Sequence, residues 1–148
     1  MPAVLEKIRV LDLSWGIAGP MTGMLMADHG AEVIKIEPPG GDPFRDQLGY
    51  KVWNRGKKSA VYDLKSAADR EAFLALVKTA DVLLESYAPG TAEKLGIDYA
   101  TLSALNPGLI YCSITGYGRG NEHSDRPAYD ALVAARSGLH FEQRGWAE

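Results

Sequence analysis

Short apolar runs alternate with amphipathic stretches along the chain, a pattern that predicts strands alternating with helices. Several of the apolar runs are continuous rather than alternating, which is typical of strands buried on both faces. We therefore expect an α/β fold with a mainly parallel sheet covered by helices on both faces. The predicted strands are Arg9–Leu13, Glu32–Ile36, Ser59–Leu64, Asp81–Leu84 and Leu109–Ile114.

Helix signals fill the gaps between these strands. Ser66 followed by Asp69 resembles a capping box, Gly96 suits a position just past a helix, and Asp98 suits an N-cap. The predicted helices are Pro20–His29, Ser66–Thr79, Thr91–Leu95, Tyr99–Leu105 and Tyr129–Ser137. In such sheets ligands bind beyond the carboxyl ends of the strands. The loops of interest are therefore 14–20, 37–58, 85–90 and 115–129.

A glycine-containing turn and a later acid raise the possibility of a dinucleotide site. Glu37 ends the second predicted strand, 21 residues after Gly16, close to the spacing that places a carboxylate on a ribose. The turn itself reads GIAGPMTG, with glycines three and four residues apart instead of two and three. Pro20 also removes an amide from the helix start, where phosphate binds. We therefore interpret Glu37 as a strand-end acid that bonds loop amides, and NAD(P) binding as the poorer hypothesis.

Composition narrows the class of protein. The 148 residues suit one domain, and a net charge of −3 with no long run of one sign argues against nucleic acid as the main partner. Cys112 is the only cysteine, which fits a reducing, cytoplasmic location. No signal-peptide pattern opens the sequence and no stretch reaches the roughly 18 apolar residues of a membrane span. We expect neither a membrane nor a metal.

An ordered set of segments carries a family resemblance from position 9 to about 141. The segments are AGP, GAEVIKIEPP, KKSAVYDLK, ADVLLESYAPG, LNPGLIYCSITGYG and AYDALVAARSGL. The set resembles family III CoA-transferases of the CaiB/BaiF type, which include formyl-CoA transferases and α-methylacyl-CoA racemases. The resemblance implies a Rossmann-like, doubly wound, mainly parallel sheet. It also implies acyl-CoA as substrate and a carboxylic acid as acceptor.

CoA needs fixed cations for its phosphates and an apolar slot for its pantetheine arm. Cations near the predicted loops are Arg45, Arg55, Lys57, Lys58, Lys65 and Lys94. The resemblance implies that Ile17 and Ala18 line the thioester end. It implies CoA contacts for Lys65, Ser86, Tyr87, Lys94 and Leu95. Ser86 stands where the family commonly has an Asn.

Tyr129 and Asp130 open the last predicted helix. By resemblance, Asp130 faces the acyl-transfer site, and Tyr129 stands where racemases carry a catalytic His. A tyrosine with a pKa near 10 is a poor proton shuttle at neutral pH, which favours transfer over racemisation. From the residues alone, Asp130 is equally an ordinary first-turn carboxylate favoured by the helix dipole.

The mechanism implied by resemblance uses an aspartate nucleophile that forms a mixed anhydride and then an aspartyl-CoA thioester. That aspartate follows the last matching segment in the family, so we expect it to lie beyond Glu148. Residues 1–148 then form a single α/β CoA-binding segment, without the family's small domain and C-terminal return, and inactive alone. A homodimer, interlocked in the full-length family, or a complementary second chain is the expected partner. The alternatives are a racemase-like isomerase and a non-catalytic CoA-binding fragment or split subunit.

Overall fold

The computed structural model describes residues 2–126 and 128–142 of the chain, which divides into two compact units, Met1–Ile114 and Thr115–Glu148. The first unit contains β1 (Arg9–Asp12), α1 (Ala18–Asp28), β2 (Glu32–Glu37), α2 (Tyr50–Trp53), β3 (Lys58–Val61), α3 (Ala67–Val77), β4 (Val82–Glu85), α4 (Thr91–Leu95), α5 (Tyr99–Leu105) and β5 (Ile110–Ser113). The second contains α6 (Asp130–Arg136) and α7 (Leu139–Glu142). The single CoA-binding segment predicted over residues 1–148 remains a prediction.

The five strands form one sheet in the order β3-β2-β1-β4-β5, and every neighbouring pair is parallel. The chain runs outward from β1 to β3 and then crosses back to place β4 on the other side of β1. That reversal makes the β1–β4 boundary the topological switch point, where open parallel sheets bind ligands. The predicted α/β fold with a doubly wound parallel sheet is confirmed.

Apolar residues pack on both faces of the sheet. On one face Leu11 and Leu83 lie in a buried cluster with Phe73 and Val77 of α3. On the other face Val10, Val33 and Val82 form a second cluster against Met26 and Ala27 of α1. Neighbouring residues of one strand therefore serve different cores, which explains the continuous apolar runs in the sequence.

Two of the three helix signals act as predicted. Gly96 ends α4 with a left-handed φ of 68°, and the Asp98 side chain accepts a hydrogen bond from the Thr101 amide at the start of α5. The capping box at Ser66 is wrong. Ser66 is the N-cap of α3 but makes no side-chain cap bond, and the Asp69 carboxylate accepts the Asp63 amide at 2.8 Å. That bond fixes the turn that follows β3.

Two short helices, α2 and α7, escaped prediction. Each spans four residues, too few for a periodic apolar pattern. In the second unit Gly138 has φ 83° and separates α6 from α7. Across the part of the chain that the structure describes, no helix is long and apolar enough to span a bilayer.

Candidate functional site

The loops after β1 and β4 meet at the switch point. The Trp15 amide donates a hydrogen bond to Ser86 Oγ at 2.8 Å, and the Trp15 and Tyr87 rings pack edge to face with centroids 6.0 Å apart. Two groups of predicted site residues are thereby brought together. One is Ile17 and Ala18, which follow Trp15, and the other is Ser86 with Tyr87.

The start of α1 presents its first residues outward. Ile17 is the N-cap of α1 and is 41% exposed, and Ala18 is also exposed. Gly19 is buried against Ser14. A side chain at position 23 would stand 2.9 Å from Asp12 Oδ2, so Gly23 also lets α1 pack closely on the end of β1. The glycine spacing that does not fit a dinucleotide turn thus has a packing reason.

Four buried charges lie under this turn. Lys57 Nζ is 2.6 Å from Asp12 Oδ2, and Lys35 Nζ is 2.9 Å from Asp42 Oδ2. All four side chains are at most 2% exposed, so two cations and two anions are paired away from water. Ser14 completes the group, because its amide and hydroxyl both donate to Asp12 Oδ1.

The Lys57 ammonium uses each of its three donors within the protein. Its Nζ contacts Asp12, the Pro20 carbonyl oxygen at 2.8 Å and Asn54 Oδ1 at 3.0 Å. Burial lowers the pKa of Lys57, although the Asp12 carboxylate works in the opposite direction. Lys57, one of the cations that the sequence places near the predicted loops, therefore points inward to an ion pair and is not available to a phosphate.

Three further candidate cations are partly exposed and engaged in ion pairs. Arg45 pairs with Glu37, Arg55 with Asp28 at 2.5 Å, and Lys58 with Glu32 at 2.6 Å. Lys65 and Lys94 are exposed, in the turn after β3 and in α4 respectively. Of the candidate cations, these two retain side chains available to a ligand's phosphates.

Tyr87 and Leu95 are half-buried and pack on the same apolar core as Tyr62, which follows β3. Burial, with the Glu85 and Asp12 carboxylates nearby, raises the pKa of Tyr87 to about 12. The Glu85 carboxylate accepts the Tyr87 amide at 2.7 Å and so fixes the turn after β4. Tyr87 therefore presents a neutral aromatic ring at the switch point.

Glu37 ends β2 with its carboxylate fully engaged. It accepts hydrogen bonds from the Asp42 amide at 3.3 Å, Tyr50 Oη at 2.8 Å and Ser59 Oγ at 2.6 Å, and it pairs with Arg45. The interpretation of Glu37 as a strand-end acid that bonds a loop amide is confirmed. A cleft of about 310 Å³ beside it is lined in part by Arg45, Tyr50 and Ser59. Because the carboxylate is occupied, nothing here favours a ribose contact.

Replacing Glu37 with glutamine is expected to flatten the acid limb of the stability curve. Burial works to raise the pKa of Glu37, but hydrogen bonds from Ser59, Arg45 and Tyr50 hold it below its ordinary value of 4.5. A carboxyl with a lowered folded-state pKa contributes stability above pH 4.5 that is lost as the pH falls below that value. E37Q should be less stable than the parent at neutral pH and lose less on acidification.

Urea unfolding across a pH series measures this difference. Glu71, an exposed acid of α3, supplies the matched control, and E71Q should follow the parent curve. Parallel acid limbs for E37Q and the parent would contradict the expectation.

The second unit holds the other two predicted site residues. Tyr129 is the N-cap of α6 and is 76% exposed, and Asp130 is the first helical residue, also exposed. The sequence predicted that Tyr129 and Asp130 open this helix and that Asp130 lies in its first turn, and the structure confirms both. Their roles toward a substrate stay predictions.

Metal-binding side chains do not converge in the described ranges: within 2–126 and 128–142, no three His, Cys, Asp or Glu residues are grouped closely enough to hold an ion. Cys112 is free and half-buried in β5.

Comparison with known proteins decides the family. Residues 5–148 match the family described as CoA-transferase family III. The chain belongs to CoA-transferase family III. The resemblance carried by the ordered segments is therefore confirmed, and solved structures agree with it. A crystal structure of the Mycobacterium tuberculosis protein Rv3272 superposes with a TM-score of 0.89 at 43% identity, covering 93% of this chain and 40% of that one.

Other members share this part of their sequence. Rv3272, named a probable fatty acyl-CoA transferase, is 43% identical over 91% of this chain and 37% of its own. The acetyl-CoA:oxalate CoA-transferase of Acetobacter aceti is 44% identical over 90% of this chain and 37% of its own. A CaiB/BaiF family protein from Brucella suis superposes with a TM-score of 0.86 at 36% identity, over 94% of this chain and 40% of that one. The family III chain thus spans less than two fifths of these curated relatives.

Sequence reasoning missed the residues beneath the site. Trp15, Ser14, Lys35 and Asp42 were not singled out, although they shape the turn that carries Ile17. One signal was present in the sequence: Lys35 interrupts the apolar run EVIKI in a strand that the family III fold buries on both faces. A lysine in such a position needs a buried partner.

Proposed function

We propose that this chain is the CoA-binding part of an acyl-CoA:carboxylate CoA-transferase. The observation that carries the proposal is the switch point itself, where the Trp15–Ser86 hydrogen bond joins the β1 and β4 loops of a family III sheet. Ile17 and Ala18 would line the thioester end, and the Tyr87 ring would offer an apolar surface to the pantetheine arm or adenine.

The phosphates of CoA are assigned to the two available lysines. Lys65 and Lys94 are exposed, whereas the other candidate cations are ion-paired. Leu95, which follows Lys94 in α4, packs on the core and would support the ligand from below. A flexible, exposed ammonium costs little to reorient toward a phosphate, which suits this assignment.

The proposed chemistry is transfer through an aspartyl-CoA thioester. An aspartate outside these 148 residues attacks the acyl-CoA carbonyl, giving a mixed anhydride and releasing the CoA thiolate. The thiolate then attacks the aspartyl carbonyl, forming the thioester and freeing the acyl group as a carboxylate. An acceptor carboxylate reverses these steps and leaves as the new acyl-CoA. Asp130 and Tyr129 would support this chemistry without acting as the nucleophile.

The transferase is proposed to work in the cytoplasm as a homodimer or with a complementary chain. Relatives named for transfer to oxalate and mesaconate support a carboxylic acid acceptor. The exposed Tyr129, in place of a histidine, supports transfer over racemisation because a phenol is a poorer proton shuttle than an imidazole.

Substituting alanine for Lys65 or Lys94 is expected to weaken CoA binding about three- to tenfold each, because each removes a charged contact to phosphate. Isothermal titration of the chain with CoA measures the affinity, and added salt should weaken the parent more than either variant. Lys78 is the matched control, since it is exposed but lies after α3, at the amino-end edge of the sheet.

K78A should bind CoA like the parent. Equal affinities for K65A, K94A and the parent would contradict the assignment of the phosphate contacts. No CoA binding by the parent would contradict the proposed function. Acyl exchange by the 148-residue chain alone would contradict the placement of the nucleophile outside it.

A further inference from the structure

The segment 14–20, which carries the proposed thioester contacts, is a short connection between β1 and α1. It leaves the end of β1 at Ser14, turns at Gly16 with φ 75° and enters α1 at Ala18. Its outer residues, Trp15 and Ile17, are about 40% exposed. Its backbone is held at three points, by Ser86 at the Trp15 amide, by Lys57 at the Pro20 carbonyl and by Lys35 at the Ser14 carbonyl.

Lys35 reaches this backbone from the neighbouring strand. Its ammonium donates to the Ser14 carbonyl oxygen at 2.6 Å and pairs with Asp42 at 2.9 Å. The side chain is 2% exposed, and Lys35 sits opposite Asp12 in the β1–β2 register. The lysine thus connects three places: strand β2, the loop at Asp42 and the first residue of the segment.

A gain in folding stability does not explain why the Lys35–Asp42 ion pair is buried. Desolvating two charges costs about as much as their attraction returns, and an apolar pair of similar size often serves a core equally well. An ammonium, unlike a methionine, has donors that fix where a carbonyl oxygen lies. The position of the Ser14 carbonyl is the one feature here that a lysine supplies and an apolar residue does not.

We propose that Lys35 is a positioning residue that fixes the Ser14 carbonyl, and through it segment 14–20, in the shape that receives the thioester end of acyl-CoA. The inference rests on the proposed function and assigns to Lys35 no contact with the ligand. Lys35 acts on the arm of CoA that reaches Ile17 and Ala18. The nucleotide end, assigned to Lys65 and Lys94, lies outside its influence.

The test compares two ligands and one structural readout. Acetyl-CoA carries the thioester, whereas adenosine 3′,5′-bisphosphate carries only the nucleotide end. The principal variant is the double substitution Lys35→Met with Asp42→Asn, which removes the ion pair without leaving a buried charge and keeps an oxygen for the Phe44 amide. Lys35→Met alone is measured beside it. Hydrogen exchange of the amides in residues 14–20 reports the segment itself.

Arg9→Met is the matched control, because Arg9 pairs with Glu32 at the sheet surface, 36% exposed and at the far end of β1. In the double variant we expect faster exchange in segment 14–20 and about tenfold weaker acetyl-CoA binding, because the segment is no longer preorganised. Adenosine bisphosphate should bind as it does to the parent, and R9M should match the parent in all three measurements.

The ratio of the two affinities decides the proposal. If the double variant weakens the binding of both ligands by the same factor, Lys35 has a general structural role. That result overturns the proposal, whatever the exchange rates show. A parent chain that binds neither ligand overturns the proposed function and this inference together. A parent that binds both, with a variant that binds both equally well, overturns only the role of Lys35.

Discussion

Replacing Lys57 with methionine should lower the free energy of unfolding by about 3–5 kcal/mol, the usual cost of leaving one member of a buried ion pair without its partner. Asp12 is 0% exposed and would lose its cation, while the Pro20 carbonyl and Asn54 would lose the same donor. Urea unfolding at neutral pH, followed by circular dichroism, measures the loss.

A second substitution separates the buried charge from the lost packing. In Lys57→Met with Asp12→Asn neither position carries an unpaired buried charge, and the asparagine oxygen can still accept the Ser14 amide. The double variant should recover much of the stability, since replacing both partners of a buried pair is often nearly neutral. Lys7→Met, at an exposed lysine, is the control and should change stability by less than about 0.5 kcal/mol.

A loss below about 1 kcal/mol for Lys57→Met would contradict the expectation, because surface ion pairs have that value and buried ones do not. A double variant less stable than the single one would place the effect in packing and not in charge.

The sheet could be predicted from the sequence because each strand has a local signal. The runs around Val10, Val33 and Leu83 are apolar over several consecutive residues, and only burial on two faces demands this. Gly96 and Asp98 marked their helix boundaries because a left-handed turn and an N-cap are properties of single residues.

The charged support of the site escaped prediction because it joins distant parts of the chain. Lys57 and Asp12 are 45 residues apart, and Lys35 and Ser14 are 21 apart. In the local context NRGKKSA, Lys57 resembles any loop lysine, and its neighbour Lys58 is indeed 71% exposed. Only the parallel order β3-β2-β1 brings residue 57 to the end of β1.

The family resemblance supplied what local patterns could not, namely which residues to expect at a ligand site. It named Ser86 and Tyr87, and the structure shows how the Trp15 amide and ring hold that turn to the β1 loop. It said nothing of the residues underneath, because a resemblance transfers contacts to the ligand and leaves their support unexplained. The support has to be read from burial and hydrogen bonds.

Replacing Gly19 with alanine should destabilise the fold and abolish acyl-CoA binding. A Cβ at position 19 would collide with Ser14 Cβ itself, an overlap that no rotation of the Ser14 side chain relieves, and Asp12 holds both the Ser14 hydroxyl and the Ser14 amide in place. Overpacking of this kind costs about 1–3 kcal/mol or more, whereas alanine gains at most about 1 kcal/mol over glycine in a helix. The packing penalty should therefore exceed the gain in helix propensity, and α1 must shift at the residues proposed to face the thioester.

The sign of the stability change in Gly19→Ala, and its coupling to position 14, show whether close packing is the cause. Gly108→Ala is the control, since the new Cβ would meet only Asn106 Oδ1 at 3.6 Å, an ordinary contact. Ser14→Gly alone and together with Gly19→Ala completes a double-mutant cycle, in which removing the Ser14 side chain should make the alanine tolerable. Net stabilisation by Gly19→Ala, or no coupling to position 14, would contradict close packing of α1 on the β1 turn. Coupling between positions 14 and 19, together with restored acyl-CoA affinity in the double variant, would support a packing role for Gly19. The glycine in this turn would then serve to bring α1 close to the charged end of β1.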